Sequence, residues 1–111
     1  MLPDLAACLF LDEMGWGVGV FDPAGEPVLV SPGLLGLLPA GTDSRLAPLL
    51  EALAGPGGAA RVFAGYGAGR THYLVRHPGL GVCRLILRGR GERRVLVGLP
   101  LEGGGERLGR N

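Results

Sequence analysis

Hydrophobic and polar positions along this chain fall into short periodic blocks divided by glycine and proline. Pro3 to about Met14 reads as a helix. Pro3 suits the first helical position, and Asp4 complements the positive end of the helix dipole. Leu2, Leu5, Leu9 and Ala6, Phe10, Met14 make two adjacent apolar stripes, with only Asp4, Asp12 and Glu13 polar. A helix apolar around most of its girth needs cover on more than one side. One stripe can lie on its own domain; the other calls for a partner.

Gly15–Phe21 follows with strand alternation, Trp16, Val18 and Val20 on one face and Gly17, Gly19 and Phe21 on the other. Asp22-Pro-Ala-Gly25 has the residues of a tight turn, and Val28-Leu-Val30 returns as the second strand of a hairpin. The run 32–38 predicts one or two helical turns starting at Pro32. Thr42-Asp-Ser44 then offers helix caps. Leu46, Leu49, Leu50 and Leu53 recur at i, i+3, i+4 and i+7, which predicts an amphipathic helix over 44–54. Gly55-Pro-Gly-Gly58 ends it.

Beyond that point the pattern is β-prone. Arg61–Ala64, Thr71–Arg76, Val82–Arg88 and Arg93–Leu99 read as strands, with turns at Gly65–Gly69, Pro78–Gly81 and Gly89–Gly91. The expected fold is α/β in the α+β sense. It has a five- or six-stranded antiparallel sheet, helices on one face and an N-terminal helix. Residues 1–101 form one domain, and the glycine-rich stretch 102–111 is a tail or linker.

Composition adds one tension. Glycine and proline number 22 and 9 among 111 residues, yet 47% of the chain is apolar, and disordered chains lack that much to bury. Charge is uneven. Residues 1–55 hold seven acids against Arg45 alone, a balance of −6; residues 56–111 hold ten arginines against three acids, a balance of +7. The arginines are spread over several strands and not packed into one run, which argues against nucleic acid as the partner; a basic-surface nucleic-acid-binding domain using the arginines of 61–94 stands as an alternative reading. Lysine is absent, a bias that fits a GC-rich, thermophile-like genome. The N-terminus has neither the charge nor the apolar length of a secretory signal. No run reaches the ~20 apolar residues of a membrane span. The reading is a cytoplasmic domain.

Candidate chemistry is sparse. Cys8 and Cys83 form no CxxC pair, and His72 and His77 fall on opposite faces of one strand, so no metal site is expected. Gly65-Tyr-Gly-Ala-Gly-Arg70 lacks the strand–helix setting and the lysine of phosphate loops. Ser31 precedes a proline and Ser44 is a capping residue, with no nucleophile elbow around either. No catalytic residue is assigned.

Three stretches in this order resemble the PAS (sensory box) family: Gly17-Val-Gly-Val-Phe-Asp-Pro-Ala-Gly25, Val28-Leu-Val-Ser31 with the following Leu35-Gly36 or Leu37-Leu38, and Gly91-Glu-Arg-Arg-Val-Leu-Val-Gly98. Together they span about residues 4–101. Tyr66–Gly81 is longer than the family's usual connection and has room for an extra hairpin. The resemblance implies a non-catalytic sensory, signalling or dimerisation module. Its sheet and helices would meet around Val18, Val20, Val28, Leu35, Leu38, Leu46, Leu50, Leu53, Leu85 and Val97, with Tyr73, His72 and Arg84 as polar neighbours. These residues suit a small apolar ligand, and suit a plain filled core better. Neither the flavin-binding cysteine motif nor the haem-binding helix histidine of the family is present, so no cofactor is expected. The implied partners are a second copy, through Leu2, Leu5, Ala6, Leu9, Phe10 and Met14, and a signalling protein or effector domain. The element order is also similar to the roadblock/longin-like regulators of small GTPases, which normally close with a further helix that Gly103–Gly105 disfavours here.

Overall fold

Two-residue alternation builds the sheet. β1 (Gly17–Phe21) and β2 (Pro27–Val30) form the expected antiparallel hairpin. Asp22 makes the turn: its Oδ1 accepts the N–H groups of Ala24 and Glu26, both at 2.9 Å, and its carbonyl accepts that of Gly25. β3 (His72–His77), β4 (Gly81–Arg90) and β5 (Arg93–Pro100) form a meander. β5 then pairs with β1, which gives one five-stranded antiparallel sheet in the order β2-β1-β5-β4-β3. The computed structural model describes residues 15–101. The helix expected over 3–14, with its interface residues Leu2 to Met14, and the tail 102–111 lie outside the described residues.

Among the described residues, three helices pack on one face. Ser31 starts α1 (Pro32–Leu35) and ties it to β1. Its Oγ accepts the N–H of Leu34 at 3.2 Å and that of Val18 at 3.0 Å, while its own N–H donates to the Val18 carbonyl. α2 (Leu46–Ala54) buries Leu46, Leu49, Leu50 and Leu53, as their spacing predicts. Its cap differs from expectation. No side chain of 42–44 caps it; the Leu46 N–H donates to the Gly25 carbonyl, and Asp43 binds Arg45 instead.

α3 (Gly58–Gly67) corrects the strand expected at Arg61–Ala64 and the hairpin turn expected at Gly65–Gly69. The helix lacks a local side-chain cap, and its glycines lower its propensity. Glu51 on α2 supplies what is missing: its carboxylate accepts the N–H groups of Gly57 at 2.6 Å and Ala59 at 3.1 Å. Burial of Val62 in the common core holds the helix down. Tyr66–Gly81 therefore contains the end of α3 and β3, not an added hairpin.

The face of β1 that meets the helices also reverses the expectation. Gly17, Gly19 and Phe21 face α1 and the core, and Val18 and Val20 point away. Close approach is the reason. A Cβ at Gly17 would sit 2.6 Å from Leu34 Cα, so α1 can lie against β1 only where β1 has glycine. Phe21, Leu34, the four α2 leucines, Val62, Leu85, Leu87 and Leu96 then close one core.

Candidate functional site

The interior between sheet and helices is lined by buried side chains. Leu46, Leu50, Leu53 and Leu85 meet there as fully buried neighbours, and Leu38 and Tyr73 pack against them. Val18, Val20 and Val97, proposed from the sequence as neighbours of those leucines, stand on the opposite side of the sheet. Val28 and Leu35 are 42% and 49% exposed and line no interior space. The eleven residues thus divide among the core, the outer face and the surface.

His77 and Cys83 serve this interior. His77 is buried at the end of β3. Its Nδ1 accepts the N–H groups of Gly79 (2.9 Å) and Leu80 (3.1 Å). The proton therefore sits on Nε2, which donates to the Leu37 carbonyl at 2.6 Å. Cys83 is buried, and burial pushes its thiol up and away from the reactive thiolate. Burial likewise raises the phenol of Tyr73, whose hydroxyl donates to the Arg70 carbonyl at 2.6 Å. Ser31 Oγ is engaged by backbone N–H groups. Among the described residues no group of three His, Cys, Asp or Glu side chains is placed to hold a metal ion.

An open cleft of about 500 Å³ lies where the β1–β2 turn meets the start of α2, lined by Glu26, Arg45, Leu46, Phe63 and Arg94 among others. Its cations are already engaged. The Arg45 guanidinium donates to Asp43, which holds the Asp43 carboxyl below its ordinary range. Arg94 donates to the Pro23 carbonyl at 3.0 Å and lies 5.7 Å from the Tyr66 ring centre. These contacts brace the turn against α3 and β5.

The outer face of the sheet has a different character. Strand register places Val18 and Val20 of β1, Leu29 of β2, Val95, Val97 and Leu99 of β5, and Ile86 of β4 on it. Arg84 and Arg88 of β4 join them, with His72, Leu74 and Arg76 of β3. Strands β3, β4 and β5 contain no acidic residue. The face is therefore apolar toward β1 and basic toward β3. His72, Tyr73, Leu74 and Arg84 surround a shallow hollow of about 230 Å³. Of the three polar residues named from the sequence, His72 and Arg84 share this face, whereas Tyr73 alternates to the core side and packs against the buried cluster. Leu74 beside His72 and Arg84 is 68% exposed.

The face was not legible as a surface in the sequence. Its signal was present in the alternation of Arg84, Ile86 and Arg88 and of Val95, Val97 and Leu99. What was missing was the knowledge of which side the helices take. Among the described residues no helix is long and apolar enough to cross a membrane. No protein-family model, no curated protein and no solved structure matches the chain.

Proposed function

We propose that this chain is a non-catalytic, PAS-like signalling module that works by holding a protein partner, and that it pairs with a second copy through the segment 2–14. The observation that carries this reading is the outer sheet face. Its β3–β4 side is exposed and basic, its β1 side carries the buried Val18 and Val20, and it lies opposite the core that sheet and helices enclose. A core of mutually packed leucines supports a protein partner, such as an effector domain with acidic groups, over a small apolar ligand held inside. An exposed leucine ringed by Arg84, His72 and Arg76 suits contact with such a partner. The resemblance in strand and turn motifs supplies the family, and the one-sided packing of helices on an antiparallel sheet accords with it.

Native mass spectrometry of the protein purified from cells tests the reading. A dimer, or the chain carrying another protein, is expected. A monomer carrying a stoichiometric small molecule would overturn it in favour of an internal ligand site. If two copies join by extending the sheet at β2 or β3, the roadblock-like scaffold is the better description.

A further inference from the structure

We propose that the free edge of β3 takes up an extended, acidic segment of a protein partner as a sixth strand of the sheet. The segment would set an apolar residue beside Leu74 and an acid beside Arg76. This names the partner chemistry of the outer face and rests on the reading of that face as a partner surface.

Hydrogen-bond phase defines the edge. The Leu87 N–H donates to the Thr71 carbonyl at 2.9 Å, and the register runs without a break from His72↔Ile86 to His77↔Gly81. Bonded and non-bonded positions alternate along an antiparallel pair. Tyr73, Val75 and His77 therefore bond to β4, and the N–H and C=O groups of His72, Leu74 and Arg76 point the other way. β3 ends the sheet, and among the described residues no strand pairs with that side. A Cβ at Gly55 would sit 3.9 Å from the Arg76 carbonyl, so the open stretch runs from His72 to the Arg76 N–H. It has neither proline nor bulge, two devices that commonly block an edge. The opposite edge differs: β2 has four residues, begins at Pro27 and pairs with β1 through an irregular register.

Side chains set the occupant. Leu74 is 68% exposed, and a strand laid along β3 would cover it. Arg76 is exposed on the same face, and Arg84 stands directly opposite Leu74 on β4. The hollow of about 230 Å³ bounded by His72, Tyr73, Leu74 and Arg84 has room for a side chain of the incoming segment. Neither edge strand, β2 or β3, contains an acid, and neither does β4 or β5. A second copy adding an edge strand would bring no carboxylate to Arg76, and its own β3 would add another Arg76 and Arg84 to the same face. Like charges side by side on neighbouring strands are destabilising. An acidic partner reverses the sign. Two-residue alternation then places its acids on either side of the apolar residue, two positions away.

Amide exchange in the full chain tests this. The probe is the peptide Thr-Glu-Thr-Val-Thr-Glu-Thr with blocked ends. It should slow exchange at the His72, Leu74 and Arg76 amides several-fold, with little change at Tyr73 and Val75, which already bond to β4. The same peptide N-methylated at its Glu and Val nitrogens should give no protection, nor should one with Lys in place of Glu. Arg76→Glu, and separately Arg84→Glu, should weaken the acidic peptide several-fold and favour the lysine peptide. The Gly79 and Leu80 amide signals, held by His77, should stay in place and report an intact fold. Equal protection by the lysine peptide, protection that survives N-methylation, or none from the acidic peptide at high concentration overturns the inference. Self-association that slows the same amides without peptide overturns it in favour of a second copy. Peptide that moves the Leu74 methyl signals but leaves the three amides unprotected overturns strand addition and keeps a partner on the outer face, so the two readings fail separately.

Discussion

The imidazole of His77 and the carbonyl of Leu37 meet at 2.6 Å across 40 residues of sequence. The ring joins the end of β3 to the loop after α1, and its other nitrogen organises the β3–β4 turn through Gly79 and Leu80. His77→Ala leaves one acceptor and two donors without this partner. Each part-buried group left unpaired costs about 1–3 kcal/mol, less where water can enter. Urea unfolding should show a loss in that range with an unchanged slope. A loss below about 0.5 kcal/mol, the ordinary range for a surface change, would mean that the ring is dispensable.

Ser31→Ala tests the join between β1 and α1. The hydroxyl oxygen accepts from Val18 and Leu34, and the residue is buried. Loss of a cap costs about 0.5–2 kcal/mol, and the orphaned Val18 N–H adds to it. Hydrogen exchange at Val18 and Leu34 should quicken more than exchange in β3 and β4. Uniform quickening would instead indicate general destabilisation without a local role.

Glu51 makes α3 sensitive to acid. The N–H of Gly57, then that of Ala59, lowers the Glu51 carboxyl below its ordinary range. A depressed carboxylate contributes stability above its unfolded value and loses it as pH falls through the folded one. Helix α3 should therefore loosen in acid. Glu51→Gln should weaken the fold at neutral pH, and the gap between variant and parent should narrow as pH drops toward about 3. A gap that is constant with pH would rule out the carboxylate as the cap.

How far the sequence reaches is clear from particular elements. The Asp22–Gly25 turn, the α2 stripe and the five strand runs that survive were all local signals, and each formed within a residue or two of its expected bounds. Helix α3 escaped because its cap is Glu51, six and eight residues away from the groups it binds. The orientation of β1 escaped for another reason. Alternation separates two faces but carries no label for the buried one. The glycines of β1 mark a close contact, Gly17 lying against Leu34 of α1. The removal of Val18, Val20 and Val97 from the proposed ligand set follows from that one reversal.

Gly17→Ala turns this point into a measurement. The added methyl would lie 2.6 Å from Leu34 Cα and 2.9 Å from its nitrogen, both backbone atoms that cannot rotate aside. Overpacking of this kind costs about 1–3 kcal/mol or more, against the slight gain expected for alanine in an open strand. The thermal midpoint should fall, and Leu34 signals should shift most. A neutral or stabilised Gly17→Ala protein would show that α1 stands off the sheet.

Leu50 and Leu74 separate the buried core from the outer sheet face. Leu50 is fully buried among the other α2 leucines, Phe21 and the β4 leucines, whereas Leu74 lies out on β3 with 68% of its surface exposed. Leu50→Ala removes packing on every side and should cost about 2–5 kcal/mol. Leu74→Ala should change stability by no more than about 0.5 kcal/mol. Side chains that line a preformed ligand space lack neighbours on one side, so truncation there costs less. A near-neutral Leu50→Ala would therefore argue for an interior with room for a ligand. On the outer face the ranking inverts. Leu74→Ala, and Arg84→Ala beside it, should weaken co-purification of any partner while the fold stays intact, because a partner seated there contacts these side chains and not Leu50. Partner binding that survives both substitutions, but is lost when charge is placed at Val97, would move the contact toward the β5 side of the same face.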